Sequence, residues 1–298
     1  MAGSDETFEE LSGAEKVSKV CLITGATAGI GQAAAIELAA PKYDFKLVIV
    51  ARNKERCENT VALIKQKHKD AKVDYLVADL SSYKQVRQLA SEFKSKYDQL
   101  DVLVNNAGAI FFSHRESADG LEMTWALNHF GYFWLSLALS DLLKKSAPSR
   151  VINVSSAAHR RAFLPSMDNI GKEKNQTGYP TYGNTKLANI WFTRELHKRM
   201  FANGVTVNSM HPGIVATNFA SDNGLFGNLF RAAASLFWVP VEKGATTIVY
   251  LATSPLVVAV SGEYFENEKI SKPSKLALDD AMAEALWRKS EEITASFK

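Results

Sequence analysis

The segment KVCLITGATAGIG, residues 19–31, decides the fold of this chain. It opens with six mostly apolar residues, as a buried strand does, and Gly25, Gly29 and Gly31 follow at once. The next residues, QAAAIELAA, are small or apolar, as in a helix packed closely on a sheet. A strand, a glycine turn and a helix predict a phosphate-binding unit, because the helix N-terminus presents unpaired N–H groups to an anion. A tight structural turn is the alternative, and this context weighs against it.

The same alternation of strand and helix continues along the chain. Short β-branched runs predict strands at 19–24, 46–51, 72–78, 100–106, 149–155 and 204–212, and helical patterns lie near 29–40, 54–68, 82–97, 119–145 and 182–203. This order predicts a parallel sheet with helices on both faces. The strands are almost continuously apolar, as burial on both sides requires. We therefore predict an α/β fold with a doubly wound parallel sheet in three layers, αβα.

Composition and charge describe a soluble globular protein. Of the 298 residues, 46% are hydrophobic and 22% charged, which allows a sizeable core. The net charge of +3 is too small, and the basic residues too scattered, to indicate nucleic acid or a membrane surface as a partner. No linker divides the chain, so we predict one domain over 18–298 behind a disordered tail at 1–17. The tail lacks the features of a signal peptide and the longest apolar runs are interrupted, which predicts no transmembrane segment and a cytoplasmic location. Cys21 and Cys57 are expected to remain thiols.

Motifs after the glycine turn resemble those of the short-chain dehydrogenase/reductase family. The turn has the spacing Gly-x-x-x-Gly-x-Gly, and the later motifs are Asp79–Leu80, NNAG at 105–108, Asn128, NVSS at 153–156, Tyr182-x-x-x-Lys186 and HPG at 211–213. The resemblance covers residues 18–265, and the stretches SSAAH and KLANIWFTRELHKRM are most similar to the retinol-dehydrogenase-like branch. It implies a Rossmann-type fold and a nicotinamide-dependent oxidoreductase.

The end of the second predicted strand bears on the choice of cofactor. A carboxylate there would bind the ribose 2′-OH of NAD, whereas this chain has Ala51 followed by Arg52. A guanidinium can bind a 2′-phosphate and stack on adenine, so NADP(H) is favoured over NAD(H). The resemblance extends the cofactor site to the glycine turn and the ends of the other strands: Gly25, Thr27, Ala28, Gly29, Ile30, Gly31, Arg52, Asn53, Asp79, Leu80, Asn106, Ala107, Gly108, Tyr182, Lys186, Pro212, Gly213, Ile214 and Thr217. Asp79 could instead belong to the N-cap region of the helix at 82–97, and NNAG could in part support the sheet.

Tyr182 and Lys186 are four residues apart, so on a helix their side chains share one face. A free phenol has a pKa of about 10, which is too high for a base at neutral pH. A nearby ammonium and the positive nicotinamide of an oxidised cofactor would favour the phenolate. The tyrosine could then exchange a proton with an alcohol or a carbonyl. A chance surface pair is the alternative.

The resemblance assigns two further catalytic residues, Ser156 and Asn128. Ser156 would hydrogen-bond the substrate oxygen as charge develops there. Ser155 is the alternative. Strand alternation sends neighbouring side chains to opposite faces, so one of the two serines should be structural. Asn128 would hold a water that links Lys186 to solvent, while a buried amide bonded to the backbone is the other interpretation.

No metal is predicted. His129, His159 and His211 tempt such an interpretation, but their spacing is not that of a ligand set.

Two segments bear on the substrate. Ser156 and Tyr182 are 26 positions apart, and the polar residues between them are interpreted as an insertion beside the substrate pocket. The apolar stretch within 213–240 is predicted to be a lid. Its aromatic and leucine side chains suggest a hydrophobic substrate, and core packing would explain them equally well.

We therefore predict an NADP(H)-dependent oxidoreductase that interconverts a small hydrophobic aldehyde or ketone and its alcohol. The alternatives are a nicotinamide-binding scaffold or sensor, and light-driven reduction of a pigment double bond by a protein of the same fold. The resemblance allows a homodimer or homotetramer through the helices at 119–145 and 182–203. Trp191 and Phe192 could serve that interface or the core.

Overall fold

A computed structural model describes residues 18–163, 166–172, 177–213 and 240–297. The predicted tail at 1–17 lies outside these residues. So does nearly all of the predicted lid at 213–240, with its apolar stretch and the proposed cofactor contacts Ile214 and Thr217.

One eight-stranded sheet runs through the structure in the order β3-β2-β1-β4-β5-β6-β7-β8. The strands are β1 Lys19–Thr24, β2 Phe45–Ala51, β3 Lys72–Val77, β4 Val102–Asn105, β5 Ser149–Val154, β6 Val205–His211, β7 Tyr264–Glu266 and β8 Lys269–Ile270. All neighbouring pairs are parallel except β7 with β8. The chain winds outward in both directions from β1 and β4, which confirms the predicted doubly wound fold and opens a crevice at their carboxyl ends.

All six predicted strands are present, and β7 and β8 were missed. These two have three and two residues, which is too short for an apolar run to be recognised.

The helices are α1 Gly29–Leu38, α2 Lys54–Lys67, α3 Tyr83–Lys96, α4 Met123–Trp125, α5 Gly131–Ala138, α6 Ser140–Lys145, α7 Tyr179–Met200, α8 Val241–Thr253 and α9 Asp280–Ala295. The helix predicted over 119–145 begins at Met123 and is interrupted by a π-helical turn, Ala126–Phe130. The helices α8 and α9 were not predicted. The signal for α9 was present, because Asp279 caps it and its apolar residues lie three or four positions apart.

The sheet separates two hydrophobic cores. Leu22, Val48 and Leu103 face the layer of α3, α5, α7 and α9, while Ile23, Ile49 and Val104 face α1, α2 and α8. This alternation along each strand produces the three layers predicted from the sequence.

Helix α9 covers the outer face of α5 and α7. The indole of Trp287 stacks on Phe192 with ring centroids 6.0 Å apart, and it meets Phe133 edge-on at 5.1 Å. The indole N–H of Trp191 donates to the carbonyl of Leu276 at 2.9 Å. Trp191 and Phe192 are therefore packed inside this chain.

Within the described ranges, no helix has the length and apolar character needed to cross a membrane.

Candidate active site

A cavity of about 800 Å³ lies at the carboxyl ends of the central strands. Most of the predicted site residues line it: Gly25, Thr27, Ala28, Gly29, Ile30, Gly31, Arg52, Asp79, Leu80, Asn106, Ala107, Gly108, Ser156, Tyr182, Lys186, Pro212 and Gly213. Asn53 and Asn128 are not among the lining residues. The fold thus collects residues from motifs that are up to 188 positions apart (25 to 213) around one space.

The glycine turn between β1 and α1 has a backbone that only glycine fits. Gly25 and Gly29 have φ of +67° and +55°, in the left-handed region. A Cβ on Gly25 would stand 2.7 Å from the Cα of Ala107, and one on Gly31 would collide with the Asn106 amide and the Gly25 carbonyl. Close approach of this turn to the loop after β4 therefore requires both residues.

The N-terminus of α1 suits the pyrophosphate of a dinucleotide. Its N-cap is Ala28, and no side chain in the described part of the chain caps the helix there. The first turn contains no acidic residue, so the unpaired N–H groups and the helix dipole favour a bound anion.

The NNAG segment is held by hydrogen bonds between two strand ends. The Asn106 amide donates to the carbonyls of Thr24 and Gly25 at 2.8 and 3.2 Å, and the Thr24 hydroxyl accepts from the N–H groups of Asn106 and Ala107 at 2.9 and 3.1 Å. Asn105 is buried and donates to Ser136 and Asn153. The two asparagines thus support the sheet. Thr24, whose only sequence signal is a hydroxyl at the end of an apolar strand, was missed as a structural partner.

Two arginines line the cavity beside the end of β2. Arg52 was predicted, and Arg56 in the same RNKER stretch was missed. The side chain of Asn53 accepts from the N–H of Arg56 at 2.9 Å and caps α2, so the described contacts of Asn53 are structural.

Asp79 forms a turn at the cavity wall. Its carboxylate accepts from the N–H and hydroxyl of Ser81 at 3.0 and 2.7 Å. The N-cap of α3 is Ser82, three residues later, so Asp79 is not the capping residue.

The paired serines after β5 point in different directions. The hydroxyl of Ser155 is buried and donates to the carbonyl of Lys186 at 2.7 Å, which ties β5 to α7. The hydroxyl of Ser156 accepts from the N–H of Ala158 at 3.2 Å and is hydrogen-bonded to Tyr182. Of the two, Ser156 is therefore the one placed beside the phenol, in spite of the long interval in sequence.

Lys186 lies beneath Tyr182 on α7. Its Nζ is 5.6 Å from the centre of the Tyr182 ring and donates to the carbonyl of Val154 at 2.9 Å. The side chain is 3% exposed, and burial lowers the pKa of Lys186 to about 7.

The pKa of Tyr182 is raised to about 12, mainly by burial, while the hydrogen bond with Ser156 acts in the opposite direction. The lowered pKa predicted from the sequence requires a charged Lys186 together with an oxidised nicotinamide, whereas burial in the protein alone acts in the opposite direction. The physical reason is that burial removes the phenol from water, which disfavours the charged phenolate. The phenol is thus protonated at neutral pH.

Asn128 lies in the π-helical turn and bridges two elements. Its Oδ1 accepts from the N–H of Ala109 at 2.9 Å, and its Nδ2 donates to the carbonyl of Ala109 and the hydroxyl of Thr185 at 2.9 and 3.1 Å. These contacts match the interpretation as a buried amide bonded to the backbone. A Cβ on Gly108 would lie 3.1 Å from the Asn128 Oδ1 and 3.3 Å from the Lys186 Nζ, so Asn128 and Lys186 flank one glycine.

The three histidines considered as metal ligands each have hydrogen-bond partners. His129 contacts Ser290, His159 contacts Ser156 and Ser274, and His211 contacts Gly213 and Glu266.

Comparison with known proteins identifies the family. Residues 19–225 match the family model described as short chain dehydrogenase. The chain is 35% identical to retinol dehydrogenase 13 of Homo sapiens over 277 residues, which is 91% of this chain and 83% of that protein. It is 34% identical to short-chain dehydrogenase TIC 32 B, chloroplastic, of Brassica napus, over 96% of this chain and 92% of that protein.

Among solved structures, the Pseudomonas aeruginosa RhlG/NADP active-site complex is similar with a TM-score of 0.66 and 27% identity, over 83% of this chain and 93% of that chain. Together with the glycine turn and the Ser–Tyr–Lys group, these matches identify a dehydrogenase/reductase. The chain belongs to the short-chain dehydrogenase/reductase family, in its retinol-dehydrogenase-like branch.

Proposed function

We propose that the protein is an NADP(H)-dependent oxidoreductase that interconverts a hydrophobic aldehyde or ketone and its alcohol, with Tyr182 as the acid–base residue. The observation that carries the proposal is the arrangement of three side chains. Ser156 and Tyr182 are hydrogen-bonded, with Lys186 beneath the phenol, in the cavity that also contains the glycine turn.

A bound nicotinamide dinucleotide would supply the hydride, and the protein would contribute orientation and charge. The uncapped N-terminus of α1 would hold the pyrophosphate, and Arg52 and Arg56 would bind the 2′-phosphate. The end of β2 carries no carboxylate to bind a free ribose hydroxyl, which supports NADP(H) over NAD(H). A complex of the similar RhlG with NADP adds support.

In reduction, Tyr182 would donate its proton to the carbonyl oxygen. The raised pKa of Tyr182, about 12, keeps the phenol protonated at neutral pH and ready for this step. The Ser156 hydroxyl would donate a hydrogen bond to the same oxygen as negative charge develops on it.

In oxidation, the phenol of Tyr182 must first lose its proton. Lys186 is suited to assist, because its pKa of about 7 leaves part of the population protonated at neutral pH, and a nearby ammonium favours the phenolate. As predicted from the resemblance, Asn128 would hold a water that connects Lys186 to solvent. Its Oδ1 has a second lone pair beside the one used by Ala109.

Apolar and aromatic side chains line part of the cavity, which supports an apolar substrate. Phe111, Met123, Leu127 and Tyr179 line it together with the catalytic group. Retinol dehydrogenase 13 is among the relatives, which makes retinoids one reasonable class in a panel that also contains steroids, lipid aldehydes and xenobiotic ketones.

The buried free thiols Cys21 and Cys57 are in keeping with the cytoplasmic location predicted from the sequence.

The test is NADPH consumption in the dark with this panel of carbonyl compounds, for the wild type and for Tyr182→Phe. We expect turnover of at least one class and a loss of roughly 100-fold or more in the variant, because it has no proton to donate. Tyr250→Phe is the matched control, since it also removes one phenol hydroxyl and Tyr250 is not among the lining residues of the cavity. Its activity should remain close to wild type.

Each other outcome has a definite meaning. Equal rates for wild type and Tyr182→Phe would refute the role of the phenol. Tight NADPH binding without turnover of any carbonyl would favour a scaffold or sensor, and turnover only under illumination would favour pigment double-bond reduction.

A further inference from the structure

His159 is a buried histidine just behind the cavity, on the 3-10 turn Ala157–Arg161 that follows Ser156. Its Nε2 accepts the N–H of Ser274 at 3.1 Å, and its Nδ1 is 2.7 Å from the carbonyl oxygen of Ser156. An N–H can only donate, so Nε2 is unprotonated and Nδ1 carries the hydrogen. His159 therefore donates to Ser156. Burial lowers the pKa of His159 to about 4, which keeps the ring neutral and this arrangement intact at physiological pH.

The carbonyl of Ser156 accepts two hydrogen bonds from the same residue. Besides Nδ1–H, the backbone N–H of His159 donates to it at 3.1 Å. The Ser156 hydroxyl accepts from the N–H of Ala158 and is hydrogen-bonded to Tyr182. Rotation of the Ser156 backbone would therefore break the carbonyl bonds and move the hydroxyl away from Tyr182.

The ring of His159 is held in place by the C-terminal part of the sheet. Tyr264 on β7 meets it edge-on with ring centroids 5.1 Å apart, and Tyr264 also stacks on His211 at 6.0 Å. His211 accepts from the N–H of Gly213 at 2.9 Å, and its Nε2 lies 3.0 Å from the carboxylate of Glu266. The segment 264–274 thus contacts both loops of the cavity, the one after β5 and the one after β6.

We propose that His159 is a positioning residue for Ser156, which it holds in register with Tyr182 by linking the Ser156 carbonyl to the backbone of Ser274. The inference rests on the role proposed above for the Ser156 hydroxyl. A histidine that only fills space would give the same burial, but it would not need both ring nitrogens bonded to two backbone groups 118 positions apart (156 to 274).

Three substitutions of His159 distinguish a residue that positions Ser156 from one that only fills space. His159→Phe keeps an aromatic ring against Tyr264 and removes both hydrogen bonds. His159→Asn retains a donor near the position of Nδ1, and His159→Gln retains an acceptor near the position of Nε2. We expect kcat to fall about tenfold or more in His159→Phe and in His159→Gln, and clearly less in His159→Asn, because a displaced hydroxyl is costly to the rate. The Kd of NADPH should be unchanged in all three.

The decisive measurement repeats His159→Phe in a Ser156→Ala background. If His159 acts through Ser156, the second substitution should change kcat less than about twofold, because the two residues form one unit. A loss as large as that seen in the wild-type background would overturn the inference. So would equal kcat in His159→Asn and His159→Phe.

A separate measurement tests the positioning of Ser156 in the case that the proposed role of its hydroxyl is wrong. If Ser156→Ala alone leaves kcat unchanged, the role of the Ser156 hydroxyl is refuted. Amide hydrogen exchange of the peptide 155–163 then decides the structural part of the inference. Faster exchange there in His159→Gln than in His159→Asn supports positioning, and equal exchange refutes it.

Discussion

Burial shifts the two titrating side chains at the centre of the cavity in opposite directions, raising the pKa of Tyr182 to about 12 and lowering that of Lys186 to about 7. Burial thus acts against the charged form of each residue in the protein alone. Positive charge from an oxidised cofactor would favour the phenolate and move the pKa of Tyr182 down again. The pH dependence of kcat/KM should therefore differ between reduction and oxidation.

Reduction requires the protonated phenol and oxidation requires the phenolate. With a pKa of about 12, nearly all Tyr182 is protonated at neutral pH, so kcat/KM for reduction should vary little on account of Tyr182 between about pH 7 and 9. The phenolate fraction rises about tenfold per pH unit below the pKa, so kcat/KM for oxidation should increase over the same range. Steady-state rates in both directions check this, with Tyr250→Phe, which lies outside the cavity lining, as a control of unchanged profile. An oxidation rate that decreases as pH rises would contradict it.

Arg52 and Arg56 should determine the preference between cofactors. Loss of one charge-assisted contact costs about 1.5–3 kcal/mol, so Arg52→Ala or Arg56→Ala should weaken NADPH binding roughly 10- to 150-fold. Both side chains are exposed, so the loss of NADPH affinity should be near the lower end of this range. NADH binding should be unaffected. Lys54→Ala is the control, since this lysine lies on the same turn and is not among the lining residues of the cavity. An equal loss for NADPH and NADH would remove both arginines from the 2′-phosphate site.

At the scale of secondary-structure elements, the βα unit at residues 19–38 depends strongly on having glycine at particular positions. Gly31 lies at the start of α1, where any side chain would meet Gly25 and Asn106. Relief of that collision requires the glycine turn to move away from the loop after β4, at the place where the phosphates would bind.

Gly31→Ala should therefore lower the free energy of unfolding by about 1–3 kcal/mol and weaken NADPH binding at least about tenfold. Urea denaturation and fluorescence titration measure the two effects. Gly120→Ala is the control, because Gly120 has φ of +74° and an added methyl meets nothing within 4 Å. It should cost about 1–2 kcal/mol of backbone strain and leave cofactor affinity unchanged. Normal NADPH affinity in Gly31→Ala would contradict the proposed phosphate site.

At the scale of the whole molecule, helix α9 covers one face of the described structure. Helix α9 packs on the outer side of α5 and α7, the helices through which the resemblance allows a dimer. Trp287 is 5% exposed, and besides Phe133 and Phe192 its ring contacts the guanidinium of Arg199, 3.9 Å from the ring centre. We infer that α9 stands in place of a partner subunit on this face.

Light scattering of the wild-type chain should accordingly show no association through this face. Trp287→Ala should lower the free energy of unfolding by about 3–5 kcal/mol, because it leaves a large cavity in the core. It should also promote association by exposing Phe133 and Phe192. Trp287→Phe retains part of the stacking and should remain closer to wild type in both measurements. A wild-type dimer that Trp287→Ala leaves intact would show that α9 does not replace a partner.

Local patterns in the sequence were sufficient for six strands, the glycine turn and the Tyr–Lys pair. Apolar runs, glycines at fixed spacing and an i,i+4 pair act over a few residues, so their effect can be recognised without coordinates. The π-helical turn that carries Asn128 and the short strands β7 and β8 have no comparable local signal.

Contacts between distant residues were decided by the tertiary structure. Thr24 and Asn106 bond across 82 positions and His159 and Ser274 across 115, and no periodicity links such pairs. The contact that Ser155 makes with Lys186 and the inclusion of Arg56 in the cavity lining also depend on which way a strand end or a helix turn faces. Sequence by itself therefore determined the family, the sheet and the types of residue at the site. Only the tertiary structure decided which of them meet, because that depends on packing between elements far apart in the chain.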